Sequence, residues 1–231
     1  MILDPGNKYI QAINSHTPLS GATILEIGCG NGQMTAEMAK FANKIVATDM
    51  NTAVLEQAKK HISAVNVDFL HTPDGTPDLP ARSFDIVIYT LSLHHIPEDK
   101  MVENLHHSGR RLKDNGKIVV IEPGNGGSFL EVKKRFGAGS GDESREKKAA
   151  MTAMENMDGW ALSQTHHFEV DFQFTDETDF FTNKLPGYQD MPAEKIIKLK
   201  NFLTQNTTSQ GIILTSERYL NLLTRKHSPE K

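Results

Sequence analysis

The stretch ILEIGCGNGQMT, residues 24 to 35, sets a carboxylate, Glu26, just ahead of three glycines, Gly28, Gly30 and Gly32, with Cys29 between the first two. Glycines so spaced after an apolar run let backbone amides and a helix N-terminus approach a nucleotide-bearing ligand. A dinucleotide site reads G-x-G-x-x-G, its third glycine allowing helix and strand to pack closely. Here the third glycine comes one position early and Gln33 holds its place. No Lys-Ser or Lys-Thr follows, so the Walker phosphate loop fails as well. Glu26 would repel a pyrophosphate, but it suits a cationic ligand or the orientation of the loop. Asp49 stands 21 residues after Gly28, where an acid takes ribose hydroxyls in such folds. The pattern points to a ribose-bearing, positively charged cofactor.

Other reactive residues carry less. Cys29 reads as a small residue in a tight turn, because a nucleophilic thiol wants an activating neighbour and none is evident. The stretch GAGSG, 137 to 141, repeats the glycine spacing with no apolar strand before it, so it reads as a flexible hinge or lid. His-His pairs occur at 94 and 95, 106 and 107, and 166 and 167. Adjacent side chains diverge on a helix or strand and no spaced ligand motif is present, so no metal site is expected. His106 and His107 read as surface or boundary residues. Histidine is suited to proton transfer near neutral pH, which makes His94 or His95 the candidate general base.

These residues need a scaffold. Apolar runs at 23 to 27, 44 to 49, 66 to 70, 84 to 90 and 117 to 122 read as strands. Helices are expected at 33 to 42, with Met34, Met38 and Phe41 on one face, at 52 to 62 with Thr52 as cap, and at 98 to 113, stopped by Asn115-Gly116. Nearly all-apolar strands alternating with helices predict a doubly wound parallel sheet covered on both faces. Glu26 and Asp49 then fall on its carboxyl edge, and His94 and His95 just past its fourth strand. Beyond Pro123 the alternation stops. A glycine-rich and charged stretch, 124 to 150, precedes a helix over 151 to 163 with Met151, Met154 and Met157. An alternating strand at 167 to 174, a helix near 192 to 205 and a strand from 211, extendable to 226, complete the chain. The methionines and Trp160 read as core, with an apolar substrate wall as the alternative. Lys195, Lys198 and Lys200 read as the solvated face of their helix.

The bulk properties agree with an α/β fold. The 231 residues fit one domain with some decoration, or at most two small ones, with one preferred; the formal charge of -4 offers no general attraction to nucleic acid, and a single cysteine suits a reducing compartment. No apolar run approaches the roughly 20 residues of a membrane span, and no secretion signal is evident, so a cytoplasmic protein is expected.

Four stretches, LEIGCGNG at 25 to 32, VATDMN at 46 to 51, ARSFDIVIYTLSLHHI at 81 to 96 and RRLKDNGKIVVIEPG at 110 to 124, occur in an order that resembles the class I methyltransferases using S-adenosylmethionine, above all the small-molecule group with an E-x-G-C-G-x-G motif. The resemblance implies a Rossmann-like, mostly parallel seven-stranded sheet with a C-terminal antiparallel strand pair and a helical lid. Residues 1 to 231 would form a single domain: a cap segment to 21, a cofactor core at 22 to 123, an acceptor-site and lid region at 124 to 210, and a terminal strand and tail. Glu26, Gly28, Cys29, Gly30 and Gly32 would surround the methionine part of the cofactor, with Asp49 on the ribose and Met50 against the adenine. Asp74 and Gly75 would lie near the adenine amine, a position where TPDGTPDLP leaves Asp78 as the other choice. Thr90 and Leu91 would line the cleft, and Tyr9 would fold over it. The implied reaction transfers a methyl group to a small-molecule acceptor and leaves S-adenosylhomocysteine. The DNA adenine and cytosine methyltransferase signatures, N/D-P-P-Y/F/W and a Pro-Cys nucleophile, are absent. Alternatives are a protein that binds the cofactor without turnover, an enzyme that alters the cofactor itself, and an NAD-dependent oxidoreductase, which the loop register opposes.

Overall fold

The computed structural model describes residues 1–75 and 77–226. They fall into two compact units. One comprises Ala12–Glu122, Ser144–His166 and the chain from Tyr219. Its five parallel strands, Thr23–Ile27, Lys44–Asp49, Val67–His71, Phe84–Thr90 and Leu112–Pro123, form where apolar runs can be buried on both faces. The chain starts in the middle at Thr23–Ile27, steps outward through Lys44–Asp49 to Val67–His71, then returns to the other side with Phe84–Thr90 and Leu112–Pro123. That reversal opens a crevice at the carboxyl ends of Thr23–Ile27 and Phe84–Thr90. Ile27 pairs with Tyr89, so Gly28 and Thr90 leave the sheet at one level.

Several boundaries differ from the sequence reading for identifiable reasons. The helix after the glycines is Gln33–Met38, and Phe41 is exposed while Met38 is fully buried. Asn51, not Thr52, caps the helix Thr52–His61, its side-chain oxygen accepting from the amides of Ala53 and Val54. The next long helix is Met101–Gly109, and the fifth strand begins at Leu112, so Asn115-Gly116 lie inside that strand rather than ahead of it. The pairing register shifts there, with Phe84 opposite Leu112 and Ile86 opposite Lys117. A Cβ at Gly116 would come within 3.0 Å of the Asp85 carbonyl oxygen, so only glycine lets the irregular strand lie this close.

The late methionine helix is Ser144–Glu155, starting within the charged stretch, and Trp160 opens the short strand Trp160–Leu162. Ala153, Met154, Met157 and Trp160 join Leu25, Val87, Leu105 and Val120 in one core cluster. The core reading of the methionines holds. Gly109 makes room for the indole, since a Cβ there would sit 2.6 Å from the Trp160 ring. Arg225 covers that ring at 4.8 Å and donates to the Gly109 carbonyl.

The other unit comprises Met1–Gln11, Pro123–Glu143 and His167–Arg218. In it the short strand Ile2–Leu3 pairs antiparallel with His166–Phe174. Helices Ser128–Phe136, Glu177–Lys184 and Ala193–Gln205 accompany a core of Phe174, Phe180, Phe181, Leu199 and Leu203. GAGSG closes the first of these helices. Gly137, at φ 82°, takes the left-handed position that terminates it, and its amide bonds the Lys133 carbonyl. The final strand, Gly211–Arg225, runs unbroken, with residues up to 218 in this unit and the rest in the other. Among the described residues the seven longer strands match the expected mixed α/β architecture, and Ile2–Leu3, Trp160–Leu162 and Thr207–Thr208 add three short ones. No described helix is long and apolar enough to cross a membrane.

Candidate functional site

The crevice is built from the turn after Thr23–Ile27. Gly28, Gly30 and Gly32 have φ of 74°, 55° and 80°, the left-handed region that side chains resist. Two of these glycines also lack room for a Cβ: at Gly28 it would meet Ser92 Cβ at 2.6 Å, and at Gly32 the Ile62 side chain at 2.4 Å. Gly30 differs, because nothing lies within 4 Å of its Cβ position. The turn is therefore packed from below at both ends and open at its middle glycine.

Asp49 holds that middle glycine. One carboxylate oxygen accepts the Gly30 amide at 2.8 Å and the other the Asn51 amide at 2.9 Å. The amides of Gly28 and Cys29 both donate to the Thr48 carbonyl, so the turn is stitched to the neighbouring strand along its length. Thr72 donates its amide to the Asp49 carbonyl, and the Gly75 carbonyl accepts from Asn104, which ties the loop carrying Asp74 to the same edge. Met50 and Asp74, both exposed, line a cleft of about 480 Å³ to which Ile96, Pro97, Lys100 and the buried Asn104 also contribute. Asp78, the other acid considered, is also exposed, and Arg111 approaches it at 3.5 Å.

Glu26 lies beneath the turn, 1% exposed, and accepts the Thr35 hydroxyl at 2.6 Å. Burial pushes its pKa up to about 7, the Thr35 bond opposes that rise, and the Asp49 charge adds to it. A carboxyl that is harder to ionise folded than unfolded stabilises the fold in its protonated form. That contribution is complete below its ordinary value of 4.5 and is lost as pH rises through about 7. The difference corresponds to about 3 kcal/mol. Glu26→Gln is expected to flatten this decline, checked by denaturant unfolding at several pH values across that window; a slope equal to the parent's overturns the assignment. Cys29 is buried in the turn, and burial, with Glu26 and Asp49 adding to it, pushes its thiol far above the ordinary range.

On the other side of the crevice, Thr90 ends its strand with a buried hydroxyl that has no hydrogen-bond partner among the described residues. Leu91 follows in the left-handed region at φ 55°, its amide bonded to the Ile121 carbonyl. A strained residue beside an unsatisfied buried hydroxyl is the arrangement expected where a ligand completes the bonding.

The adjacent histidines part company. His94 is buried, its Nδ1 bonded to the buried Glu122 carboxylate and its amide 3.3 Å from the other oxygen of that group. His95 is exposed, with its ring 4.1 Å from that of His94. Glu122 was not singled out from sequence. Its signal was a carboxylate directly after an apolar run, Ile118–Ile121. Tyr9, expected over the cofactor, is buried, and its hydroxyl accepts from Arg218 Nε.

Residues 24–116 match the methyltransferase domain family. A methyltransferase of Mycobacterium tuberculosis is 27% identical over 113 residues, covering 49% of this chain and 56% of that protein. A ubiquinone biosynthesis O-methyltransferase of Nitrosococcus oceani is 29% identical over 47% of each chain. The chain thus spans about half the length of these curated relatives. A Bacillus halodurans crystal structure described as a methyltransferase superposes with a TM-score of 0.61 at 18% identity, covering 96% of this chain and all of that one, which shows the shared fold. Over residues 24–116 the chain is thus similar to methyltransferase domains.

Proposed function

We propose that the chain transfers the methyl group of S-adenosylmethionine to a small-molecule acceptor. The observation that carries this reading is the glycine turn at the switch point of the sheet, with Asp49 bonded to Gly30 on one side of the crevice and the unsatisfied Thr90 hydroxyl on the other. Bound there, the cofactor supplies an electrophilic methyl group on a sulfonium sulfur. Glu26, Gly28, Cys29, Gly30 and Gly32 shape the methionine end, and Asp49, whose two oxygens keep lone pairs beyond their amide bonds, accepts ribose hydroxyls. Met50 and Asp74, on the shared cleft, serve the adenine, with Gly75 in the supporting turn and Thr90 and Leu91 as the opposing wall.

Displacement at a methyl carbon needs alignment and exclusion of water more than an elaborate set of reactive groups. Where the acceptor must lose a proton, His94 is the base: Glu122 holds its Nδ1 proton and leaves Nε2 as the accepting nitrogen. The formal charge of -4 offers no general attraction to nucleic acid, which supports a small acceptor. Gln33 in the third glycine's place argues against NAD.

Calorimetry with S-adenosylmethionine, S-adenosylhomocysteine and NAD tests the reading. The first two are expected to bind at micromolar concentrations and NAD not to bind; the reverse order would overturn it. Formation of S-adenosylhomocysteine with a panel of acceptors then separates turnover from binding alone.

A further inference from the structure

Within the unit of residues Met1–Gln11, Pro123–Glu143 and His167–Arg218, two cations meet no acid. Arg218 is 4% exposed. Its Nε donates to the Tyr9 hydroxyl at 2.5 Å, and one terminal nitrogen donates to the Ser216 hydroxyl at 2.6 Å and to the Glu217 carbonyl at 2.9 Å. Every one of these partners is neutral. Glu217, next in the chain, points to the opposite face of the strand, as alternation requires, and engages the Asn125 amide and His167. Asp4 spends both oxygens on the amides of Lys8 and Tyr9.

The second cation is Lys184, half-buried at the end of the helix Glu177–Lys184. Its ammonium lies 5.0 Å from the Phe172 ring and 5.5 Å from the Phe129 ring. Those rings stack at 4.4 Å with 17° between their planes. Arg218 also faces the Phe172 ring, at 5.8 Å. No ion pair to Arg218 or Lys184 occurs among the described residues, although other lysines and arginines there do pair with acids. Burial, and secondarily the Arg218 charge, push the Lys184 pKa down, as expected of two cations that share a low-dielectric surrounding.

Buried charges are ordinarily paired, because desolvation is costly and neutral hydrogen bonds offset only part of it. A guanidinium fork matches a carboxylate or phosphate, and a nearby ammonium adds a second positive charge. Phe129, half-buried and stacked on the buried Phe172, adds apolar surface beside the two cations. We infer that Arg218, Lys184 and the Phe129–Phe172 pair form a binding site for an oxyanion, carboxylate or phosphate, borne on a flat apolar body.

The test uses the full chain without cofactor, titrated by NMR or calorimetry with benzoate and phenyl phosphate as oxyanion probes and benzyl alcohol as the neutral control. Both anions are expected to bind at least about tenfold more tightly than the alcohol, and Lys184→Gln to weaken them by about tenfold. Arg218→Lys, which keeps the charge but loses the guanidinium fork, is expected to weaken both anions while leaving the neutral probe unchanged. Should that buried replacement fail to fold, Lys184→Gln still decides the matter. A stronger response to phenyl phosphate than to benzoate assigns the site to phosphate, and the opposite order to carboxylate. Equal binding of charged and neutral probes, no binding, or binding indifferent to Lys184→Gln overturns the inference. S-adenosylmethionine affinity, measured separately, is expected to be unchanged in Lys184→Gln. Probe binding without cofactor binding would remove the methyl-transfer reading and leave the oxyanion site standing; cofactor binding without probe binding would do the reverse.

Discussion

Replacing Asp49 with alanine is expected to weaken S-adenosylmethionine binding by about two orders of magnitude or more. The carboxylate does two things at once in this reading. It fixes the Gly30 amide and the Asn51 amide, and it offers its remaining lone pairs to the ribose. Hydrogen bonds to charged groups contribute about 1.5 to 3 kcal/mol each, so losing two corresponds to about a hundredfold to ten-thousandfold in affinity. Asp49→Asn keeps one acceptor oxygen and should fall between parent and alanine. Calorimetry at constant salt reads the affinity, and thermal unfolding measures how much of the loss comes from the loosened turn. Unchanged affinity in the alanine variant would sink the ribose assignment.

The second large effect concerns His94. If its Nε2 accepts the acceptor's proton, His94→Gln removes the base and lowers kcat by about a hundredfold or more, while cofactor affinity stays near the parent value. Glu122→Gln leaves a partner for Nδ1 but no longer selects one tautomer, so a smaller loss in kcat is expected together with a displaced pH–rate profile. A purely architectural pair behaves otherwise. Its disruption lowers the unfolding temperature, and turnover per folded molecule is untouched. His95, exposed beside its buried neighbour, should tolerate alanine in either case.

The parallel sheet was legible because the physics that forms it is local and repetitive. TILEI, KIVATD and FDIVIYT are nearly all apolar and bounded by turn residues, and each strand falls within the limits read from sequence. Asn115-Gly116 misled for an equally physical reason. That dipeptide commonly marks a turn, but the close approach of the Asp85 backbone makes it the irregular part of a longer strand. The helix expected over 151 to 163 started too late because Arg145 to Lys148 carry charge without an apolar stripe, and the packing of Ala150, Ala153 and Met154 decides the matter.

The site divides the same way. Glu26, Asp49 and the glycines could be singled out because residue type and spacing alone restrict what they can do. That Glu26 would face Thr35, that Asp49 would bind the Gly30 amide, or that Glu122 would select His94 over His95 depends on side chains converging from separate strands and loops. No one-dimensional pattern records such convergence. Arg218 was invisible for a related reason: a buried cation looks like any other arginine until its neighbours are known.

Cys29 gives the glycine turn a property of practical use. It is the sole thiol of the chain, and it is sealed inside the turn with a strongly disfavoured thiolate. A sulfhydryl reagent therefore has one possible target and reacts with it only while the turn is transiently undone. The labelling rate is a clock for breathing of the cofactor cradle, carried by the native sequence with no introduced probe.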